Sequence, residues 1–217
     1  MKIAIIGASG KVGRLLMEEA VKRGHTVTAV VRDSGKIAGS KATILEKDIF
    51  ALDYDDLKDN DVIIDAFGAW KPEDLVQHQT SLKHLADILS GKPNRLLVVG
   101  GAGSLFVNPE HTLRLVDTPD FPDAFKPLAG NMAKGFDALK TRTDVKWTYL
   151  SPAMDFVADG PRTGKYSLGG DELPFNAKGE SRISYADYAI AMLDEAESGK
   201  HPNARFTVVG RYVAPPG

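Results

Sequence analysis

The amino-acid sequence predicts an α/β protein with a doubly wound, mostly parallel sheet. Three observations support this fold class. Short apolar runs rich in β-branched residues alternate with helical patterns in the first half of the chain. These runs are almost continuously apolar, which is typical of parallel strands covered on both faces. A glycine-rich turn, residues 7–13, joins the first run to the first helical pattern, as in Rossmann-like folds.

Length and composition narrow the class of protein. The chain has 217 residues, 43% of them hydrophobic, and we predict a single domain over 1–217. The formal net charge is −2 with both signs mixed along the chain, so we expect no nucleic-acid partner. Cysteine is absent, and no metal site is expected. No apolar run approaches the roughly 20 residues of a membrane helix, so we expect a cytoplasmic protein without a membrane partner.

The first half of the chain contains predicted strands at residues 2–6, 26–31, 42–46, 61–66 and 95–100. Helices are predicted over 12–24, with Gly24 at the end, and over 72–89, beginning at Pro72. The apolar stripe of the second helix is more often core than a dimer surface. The sequence is compatible with a homodimer or a monomer.

The second half begins with an irregular segment, residues 101–127, that contains four prolines. A loop this long is usually a lid or binding loop, so we expect a small substrate-loop region here. An apolar stripe from Phe125 to Leu139 predicts the next helix. The remaining predicted elements are a strand at 146–152, a short hairpin within 160–175, a helix over 183–198 with Ser184 as its N-cap, and a strand at 204–210.

The glycine-rich turn is the strongest functional signal. Gly7 permits a tight turn, Gly10 lets a pyrophosphate approach the backbone, and Gly13 lets the helix pack on the strand. Their spacing is one residue longer than the usual dinucleotide fingerprint, and no Gly-Lys-Ser/Thr closes a Walker loop. We predict a dinucleotide site formed by Gly7, Ala8, Ser9, Gly10, Lys11, Val12 and Gly13.

The residues at the end of the second strand help to determine which of the two dinucleotides, NAD(H) or NADP(H), binds. A carboxylate there would bind the ribose 2′-hydroxyl of NAD(H), whereas an arginine accommodates the 2′-phosphate of NADP(H). Arg32 comes first and is followed by Asp33, and Ser9 and Lys36 could assist the arginine. We therefore predict NADP(H) in preference to NAD(H), although Asp33 leaves NAD(H) open.

Lys134 is a candidate for proton transfer. One family of redox enzymes places a catalytic tyrosine four residues before a lysine, but here Gly130 precedes Lys134 at that spacing. Both residues share a helix face with Asp137, and that face turns either to solvent or to the cofactor cleft. Residues 54–58 have the same Tyr-Lys spacing, but they should lie towards the adenine end of the bound nucleotide. We interpret them as a surface helical turn.

His78 and His84 are six residues apart on one predicted helix, so they lie on different faces. No third ligand is near them in the sequence. We therefore expect both to be solvated rather than to bind a metal.

Longer motifs reveal a family resemblance. The motifs are "GASGKVGR", "VVRD", "DAFGA", "LLVVGGAGSL", "VDTPDFP", "SPAMDF", "TGKYSLGGDEL" and "SRISYADYA". Together they resemble the atypical short-chain dehydrogenases known as NAD(P)H-flavin reductases, which are related to biliverdin-IXβ/flavin reductases and NmrA-like proteins. The resemblance runs through nearly the whole chain.

The resemblance implies a Rossmann-like domain, a nicotinamide cofactor and further contacts around it. The implied additional cofactor contacts are Arg32, Asp48, Ile49, Ala66, Phe67, Gly68, Gly100 and Gly101. The implied substrate contacts are Ser104, Pro152, Met154, Asp155 and Phe156. Ser104 would orient the substrate or the carboxamide, so Ser104 and Lys134 are the catalytic candidates.

The missing tyrosine shapes the functional hypothesis. With Gly130 in place of that tyrosine, the chain lacks the general acid used in alcohol oxidation. The glycine also leaves room for a wide, flat substrate. We expect hydride transfer to a planar acceptor such as flavin or quinone, with flavin as a substrate rather than a tightly bound group. One alternative is a non-catalytic NADP(H) sensor with a regulatory partner. A weaker one is a nucleotide-sugar epimerase, to which the missing tyrosine is an objection.

Overall fold

The computed structural model describes residues 1–211, so residues 212–217 of the predicted domain lie outside the described residues. The strands are β1 (Lys2–Ile6), β2 (Thr26–Val31), β3 (Thr43–Glu46), β4 (Val62–Asp65), β5 (Arg95–Val99), β6 (Lys146–Pro152), β7 (Asp155–Val157), β8 (Tyr166–Gly169), β9 (Arg182–Ser184) and β10 (Ala204–Gly210). The helices are α1 (Lys11–Lys22), α2 (Tyr54–Leu57), α3 (Gln77–Ile88), α4 (Lys126–Lys140) and α5 (Tyr185–Ser198). No helix within residues 1–211 has the length and apolar character needed to cross a bilayer.

Eight strands form one sheet in the order β3-β2-β1-β4-β5-β6-β10-β8. Neighbouring strands are parallel except β10 and β8, which pair antiparallel at one edge. The chain runs outward from β1 to β3 and then returns to place β4 on the other side of β1. This switch point opens a crevice above the carboxyl ends of β1 and β4, where ligands of doubly wound sheets bind.

The core lies in two layers, one on each face of the sheet. Alternate residues of β1 point to opposite layers: Ile3 and Ile5 join α1 and α5, whereas Ala4 and Ile6 join α3 and α4. All four residues are at most 2% exposed. This two-sided burial explains the continuous apolar runs and confirms the predicted fold class.

The predicted strands of the large sheet match the observed bounds to within one residue at each end. The first helix ends as expected, with Gly24 at φ +80° just beyond it. The second predicted helix is divided into a short 3-10 turn, Pro72–Asp74, and α3. Leu82 and Leu85 of α3 are buried in the core, so the apolar stripe is core.

The late irregular region differs from the prediction. The expected hairpin within 160–175 is wrong, because β8 pairs with the distant strand β10. A separate two-stranded sheet joins β7 to β9. These strands have three residues each, too few to show a period of two. The predicted N-cap of α5 is confirmed, since Ser184 Oγ accepts a hydrogen bond from the Asp187 N–H at 3.0 Å.

Candidate cofactor and acceptor cleft

A cleft of about 1030 Å³ lies over the carboxyl ends of the central strands. Its cofactor half is contributed by segments 6–13, 30–32, 47–49, 66–70 and 99–101. Its acceptor half is contributed by segments 102–104, 115–133 and 152–156 and by Tyr185. The two halves are continuous, so a ligand in one can touch a ligand in the other.

The glycine loop has the geometry of an anion cradle. Gly7 adopts φ +76°, and a Cβ there would lie 2.6 Å from the Ala66 carbonyl oxygen, so only glycine fits. A Cβ on Gly13 would lie 2.2 Å from the Gly7 carbonyl oxygen, which shows how closely α1 packs on the turn. The turn and packing roles predicted for these two glycines are confirmed.

Gly10 is different, because its backbone is ordinary (φ −72°) and a Cβ there would meet only the Gly7 carbonyl oxygen, at 3.2 Å. A side chain at this position would need the Gly7 carbonyl to shift slightly, which is a much weaker constraint than at Gly7 or Gly13. Helix α1 begins directly after Gly10, and no side chain of the described residues caps its first N–H groups. These donors and the positive end of the helix dipole are left for an anionic ligand.

The outer end of the cofactor half is basic. Arg32 is exposed and lines the cleft, as does Lys47, whose Nζ lies 2.6 Å from Asp56 Oδ2. Asp33 instead caps the turn Ser34–Ile37, where its Oδ1 accepts a hydrogen bond from the Gly35 N–H at 3.0 Å. Neither Asp33 nor Lys36 belongs to the cleft wall.

The floor between the two halves rests on a buried tyrosine. A Cβ on Gly100 would lie 2.2 Å from the Tyr149 ring, and the Gly101 N–H donates to Tyr149 Oη at 3.3 Å. Burial raises the pKa of Tyr149 to about 12, so its phenol stays protonated near neutral pH. Tyr149 supports the backbone of the cleft from below.

A buried carboxyl supports the floor at the end of β4. Asp65 is 6% exposed, and its Oδ1 accepts a hydrogen bond from the Phe67 N–H at 3.0 Å. Burial raises the pKa of Asp65 from its ordinary 3.8 to about 6, and the bond from Phe67 offsets part of that rise. The carboxyl thus holds the turn formed by residues 66–68, which lines the cleft.

The acceptor half is largely apolar. Its wall includes Leu115, Phe121, Phe125, Leu128, Ala129, Met132, Met154 and Phe156. The Phe156 and Tyr185 rings pack with their centroids 4.1 Å apart. Gly103 lets the 101–125 segment approach α4, because a Cβ there would lie 2.8 Å from Ala129 Cβ. This chamber suits a flat apolar ligand.

Polar side chains are sparse in the acceptor half. Ser104 is 3% exposed, and its Oγ accepts a hydrogen bond from Arg205 Nη1 at 3.0 Å. Burial, together with the charge of Asp159, raises the pKa of Tyr185, so its hydroxyl stays protonated at neutral pH. The Asp155 carboxylate is ion-paired with Arg182 at 2.9 Å.

The cleft brings together most of the predicted site residues. Those lining it are Gly7, Ser9, Gly10, Lys11, Val12, Gly13, Arg32, Ile49, Ala66, Phe67, Gly68, Gly100, Gly101, Ser104, Pro152, Met154, Asp155 and Phe156. Ala8 is fully buried beneath the loop. Asp48 instead caps the turn Ile49–Ala51, where it accepts a hydrogen bond from the Phe50 N–H at 2.9 Å.

The expectations for Lys134 and Gly130 are corrected by the geometry. Helix α4 turns Phe125, Leu128, Ala129, Met132 and Ala133 to the cleft, which is one face at helical spacing. Lys134 is exposed and lies off this face. Gly130 also lies outside the cleft wall, and a Cβ on it would meet nothing within 4 Å. Neither residue is placed to act on a ligand or to make room for one.

Several lining residues were not predicted from the sequence. His78 and His84 are half-buried, so the prediction that they are solvated is wrong: each Nε2 lies 3.0 Å from a backbone carbonyl oxygen. His78 also lines the cleft, as do Trp70 and Tyr185. Trp70 is 74% exposed, and an aromatic residue directly after the β4 turn was the one available signal. Among the described residues, no group of acidic and histidine side chains is arranged to hold a metal ion.

Comparison with known proteins identifies the family. A family model described as NAD(P)H-binding matches residues 7–196. The chain belongs to this NAD(P)H-binding family. The Bacillus subtilis protein YwnB is 49% identical over 209 residues, which cover 96% of this chain and 98% of that protein. These results confirm the nicotinamide-binding resemblance found in the sequence.

Solved structures of the family share the fold. A Streptococcus pneumoniae protein proposed to be an NADH-flavin reductase is 48% identical with a TM-score of 0.93, and the match covers 97% of this chain and 99% of that one. A Bacteroides thetaiotaomicron protein proposed to be an epimerase is 37% identical with a TM-score of 0.86, and it covers 99% of both chains.

Proposed function

We propose that this protein is an NAD(P)H-dependent oxidoreductase that passes a hydride to a planar acceptor such as flavin or quinone. The observation that carries the proposal is the continuity of the cleft, because a glycine-loop cofactor site opens directly into an apolar chamber. Direct hydride transfer needs the two ligands in contact, and a continuous cleft would allow that contact. The likeness to the Streptococcus pneumoniae protein supports flavin as the acceptor.

The cofactor proposed is NADP(H) in preference to NAD(H). Arg32 lines the outer end of the cofactor half, where it can pair with a 2′-phosphate. The carboxylate that would favour NAD(H), Asp33, is engaged in capping its own turn. Lys47 adds a second cation to this end of the cleft.

The residues of the cleft fit a nicotinamide dinucleotide. The uncapped N–H groups of α1 bind the diphosphate, and Gly10 leaves room for it. Residues 66–68 and 100–101, supported by Asp65 and Tyr149, would hold the nicotinamide end of the cofactor. When bound, the cofactor supplies the hydride, which is its own chemistry.

The acceptor chamber contributes mainly position and exclusion of water. Its apolar wall accepts the face of a flat ring, and the Phe156–Tyr185 pair closes one side. A flavin enters as a substrate and leaves as a product, so tight binding is not required. Water is the proposed source of the proton that follows the hydride, because the α4 face of the chamber presents only apolar side chains and the Asp155 carboxylate is ion-paired with Arg182.

The test is NADPH oxidation by the purified protein with and without riboflavin, under anaerobic conditions. We expect oxidation only when riboflavin is present, with one flavin reduced for each NADPH consumed. Tight NADPH binding without flavin or quinone reduction would contradict the proposal and favour the sensor alternative. Interconversion of nucleotide sugars without net cofactor oxidation would favour the epimerase alternative.

A further inference from the structure

A buried arginine outside the predicted site touches the acceptor half. Arg205, on β10, has a side chain that is only 2% exposed. Its Nη1 donates to the Ser104 carbonyl oxygen at 2.9 Å and to Ser104 Oγ at 3.0 Å. Its Nε donates to Asp171 Oδ1 at 2.6 Å, and its Nη2 to the Asp171 carbonyl oxygen at 3.2 Å.

Aromatic rings hold this guanidinium group in place. Its central carbon lies 4.8 Å from the centroid of Phe136 and 5.8 Å from that of Phe106. Such contacts suit the delocalised charge of arginine better than the compact charge of lysine. Because rings and hydrogen bonds act together, the group has little freedom to turn away from Ser104.

The contact determines the role of the Ser104 hydroxyl. A guanidinium group has donors only, so it cannot accept the serine proton. The hydrogen bonds of residues 1–211 give that proton no other acceptor in the protein, and Ser104 lines the cleft. The hydroxyl is therefore free to donate its proton to a ligand in the acceptor half.

We propose that Arg205 is a positioning residue that makes Ser104 a hydrogen-bond donor to a ring carbonyl of the acceptor and favours the negative charge arising there. The inference rests on the proposed function and names the acceptor class: planar rings with a carbonyl conjugated to the atom that receives hydride. With a flavin, a C–H bond of the reduced cofactor breaks and an N–H bond forms on the flavin. Two electrons pass to the flavin ring, and its negative charge persists until water supplies a proton.

A simpler role for Arg205 would be to tie the 101–125 segment to the sheet. Ser104→Ala separates the two roles, because it keeps the bonds from Arg205 to the Ser104 backbone and to Asp171. The test compares Ser104→Ala, Arg205→Met and the double variant by kcat for riboflavin reduction. Binding of oxidised riboflavin, measured by fluorescence quenching in the presence of NADP⁺, is a second readout, and thermal unfolding reports folding.

We expect Ser104→Ala to lower kcat about tenfold, the scale of a hydrogen bond to a charged group, with riboflavin binding changed by about threefold at most. Arg205→Met should lower kcat at least as much, and the double variant should lose no more than Arg205→Met alone. Where Arg205→Met does not fold, Arg205→Lys replaces it. Adding Ser104→Ala to Arg205→Lys should lower kcat little further. Arg95→Met is the matched control, because Arg95 binds Glu195 at the amino end of the central strand β5 and does not line the cleft.

Wild-type kcat in Ser104→Ala, or losses that multiply in the double variant, would overturn the inference while leaving the proposed function intact. Loss of riboflavin binding equal to the loss of kcat would also overturn it, because the hydroxyl would then act in the ground state. If the wild-type protein reduces no carbonyl-bearing acceptor, the proposed function itself fails, and the inference falls with it.

Discussion

The two halves of the cleft are built in different ways. The cofactor half follows local rules: a glycine turn, a helix N-terminus and the ends of the successive strands β1 to β5. The acceptor half is assembled from the 101–125 segment, α4, residues 152–156 and α5, which meet only in the folded protein. The cofactor half therefore presents backbone donors at a helix N-terminus, whereas the acceptor half presents a largely apolar surface.

The largest expected effect is in the glycine loop. We predict that Gly10→Val leaves a folded protein with no detectable NADPH binding, because the side chain would occupy the diphosphate position. Gly13→Val should instead prevent folding, since its Cβ would lie 2.2 Å from the Gly7 carbonyl oxygen. Calorimetric titration and thermal unfolding distinguish the two results.

Gly130→Ala is the matched control for these variants, because open space surrounds that position. It should bind NADPH like the wild type. Undiminished NADPH affinity in a folded Gly10→Val variant would place the dinucleotide elsewhere and remove the basis for the two-half description.

The next largest effect concerns the choice between NADPH and NADH at the outer end of the cofactor half. Arg32→Ala should weaken NADPH binding about 10–100-fold, as expected for a charge-assisted hydrogen bond, with NADH binding nearly unchanged. Titration of both cofactors into both proteins is the measurement. Equal losses for NADPH and NADH would contradict a 2′-phosphate contact.

A smaller effect concerns the floor that joins the halves. The folded-state pKa of Asp65, about 6, lies above its ordinary 3.8, so folding binds a proton between these values. Asp65 therefore lowers stability as pH rises from about 4 to 6. Asp65→Asn, whose amide oxygen can still accept from the Phe67 N–H, should raise the free energy of unfolding at pH 7 by about 1–2 kcal/mol. Denaturant unfolding across this range should show a flatter pH profile in the variant; an unchanged profile would contradict the buried-carboxyl account.

The smallest effects are expected when the Tyr185 hydroxyl or the Lys134 amine is removed. Tyr185→Phe and Lys134→Ala should each change kcat for riboflavin by about twofold at most, far below the 10²–10⁴-fold loss of a general acid. Steady-state kinetics with NADPH binding as a control measures this. A collapse in Tyr185→Phe would show that the acceptor half contains a dedicated acid.

The same contrast explains what could be predicted from the sequence. Gly7 and Gly13 obey spacing rules that act within one βα unit, and each strand end follows from its own apolar run, so the fold and most residues that line the cofactor half could be predicted. Asp48 was an exception, because a local turn uses its carboxylate. A carboxylate that caps a turn has fewer oxygen lone pairs left for a ligand, and a sequence motif does not show which of the two roles it has.

The acceptor half was predicted less completely. Residues 152–156 were found through the family resemblance, but Tyr185 lies in the cleft directly after β9, which pairs with β7 far from it in the chain. Lys134 was misplaced because spacing along a helix defines a face but not the direction in which it points. Arg205 was missed because its bonds to Ser104 span 101 positions of the chain. Tertiary packing decided each of these cases.

The central claim is that a ligand in the cofactor half passes a hydride directly to a ligand in the acceptor half. Anaerobic stopped-flow mixing of the NADPH complex with riboflavin tests this claim most directly, using NADPH deuterated at either of the two C4 positions. The account predicts that loss of NADPH and bleaching of flavin share one rate constant, which deuterium slows at one C4 position only. NADPH loss without matching flavin bleaching, or a rate constant equally insensitive to deuterium at both positions, would contradict it.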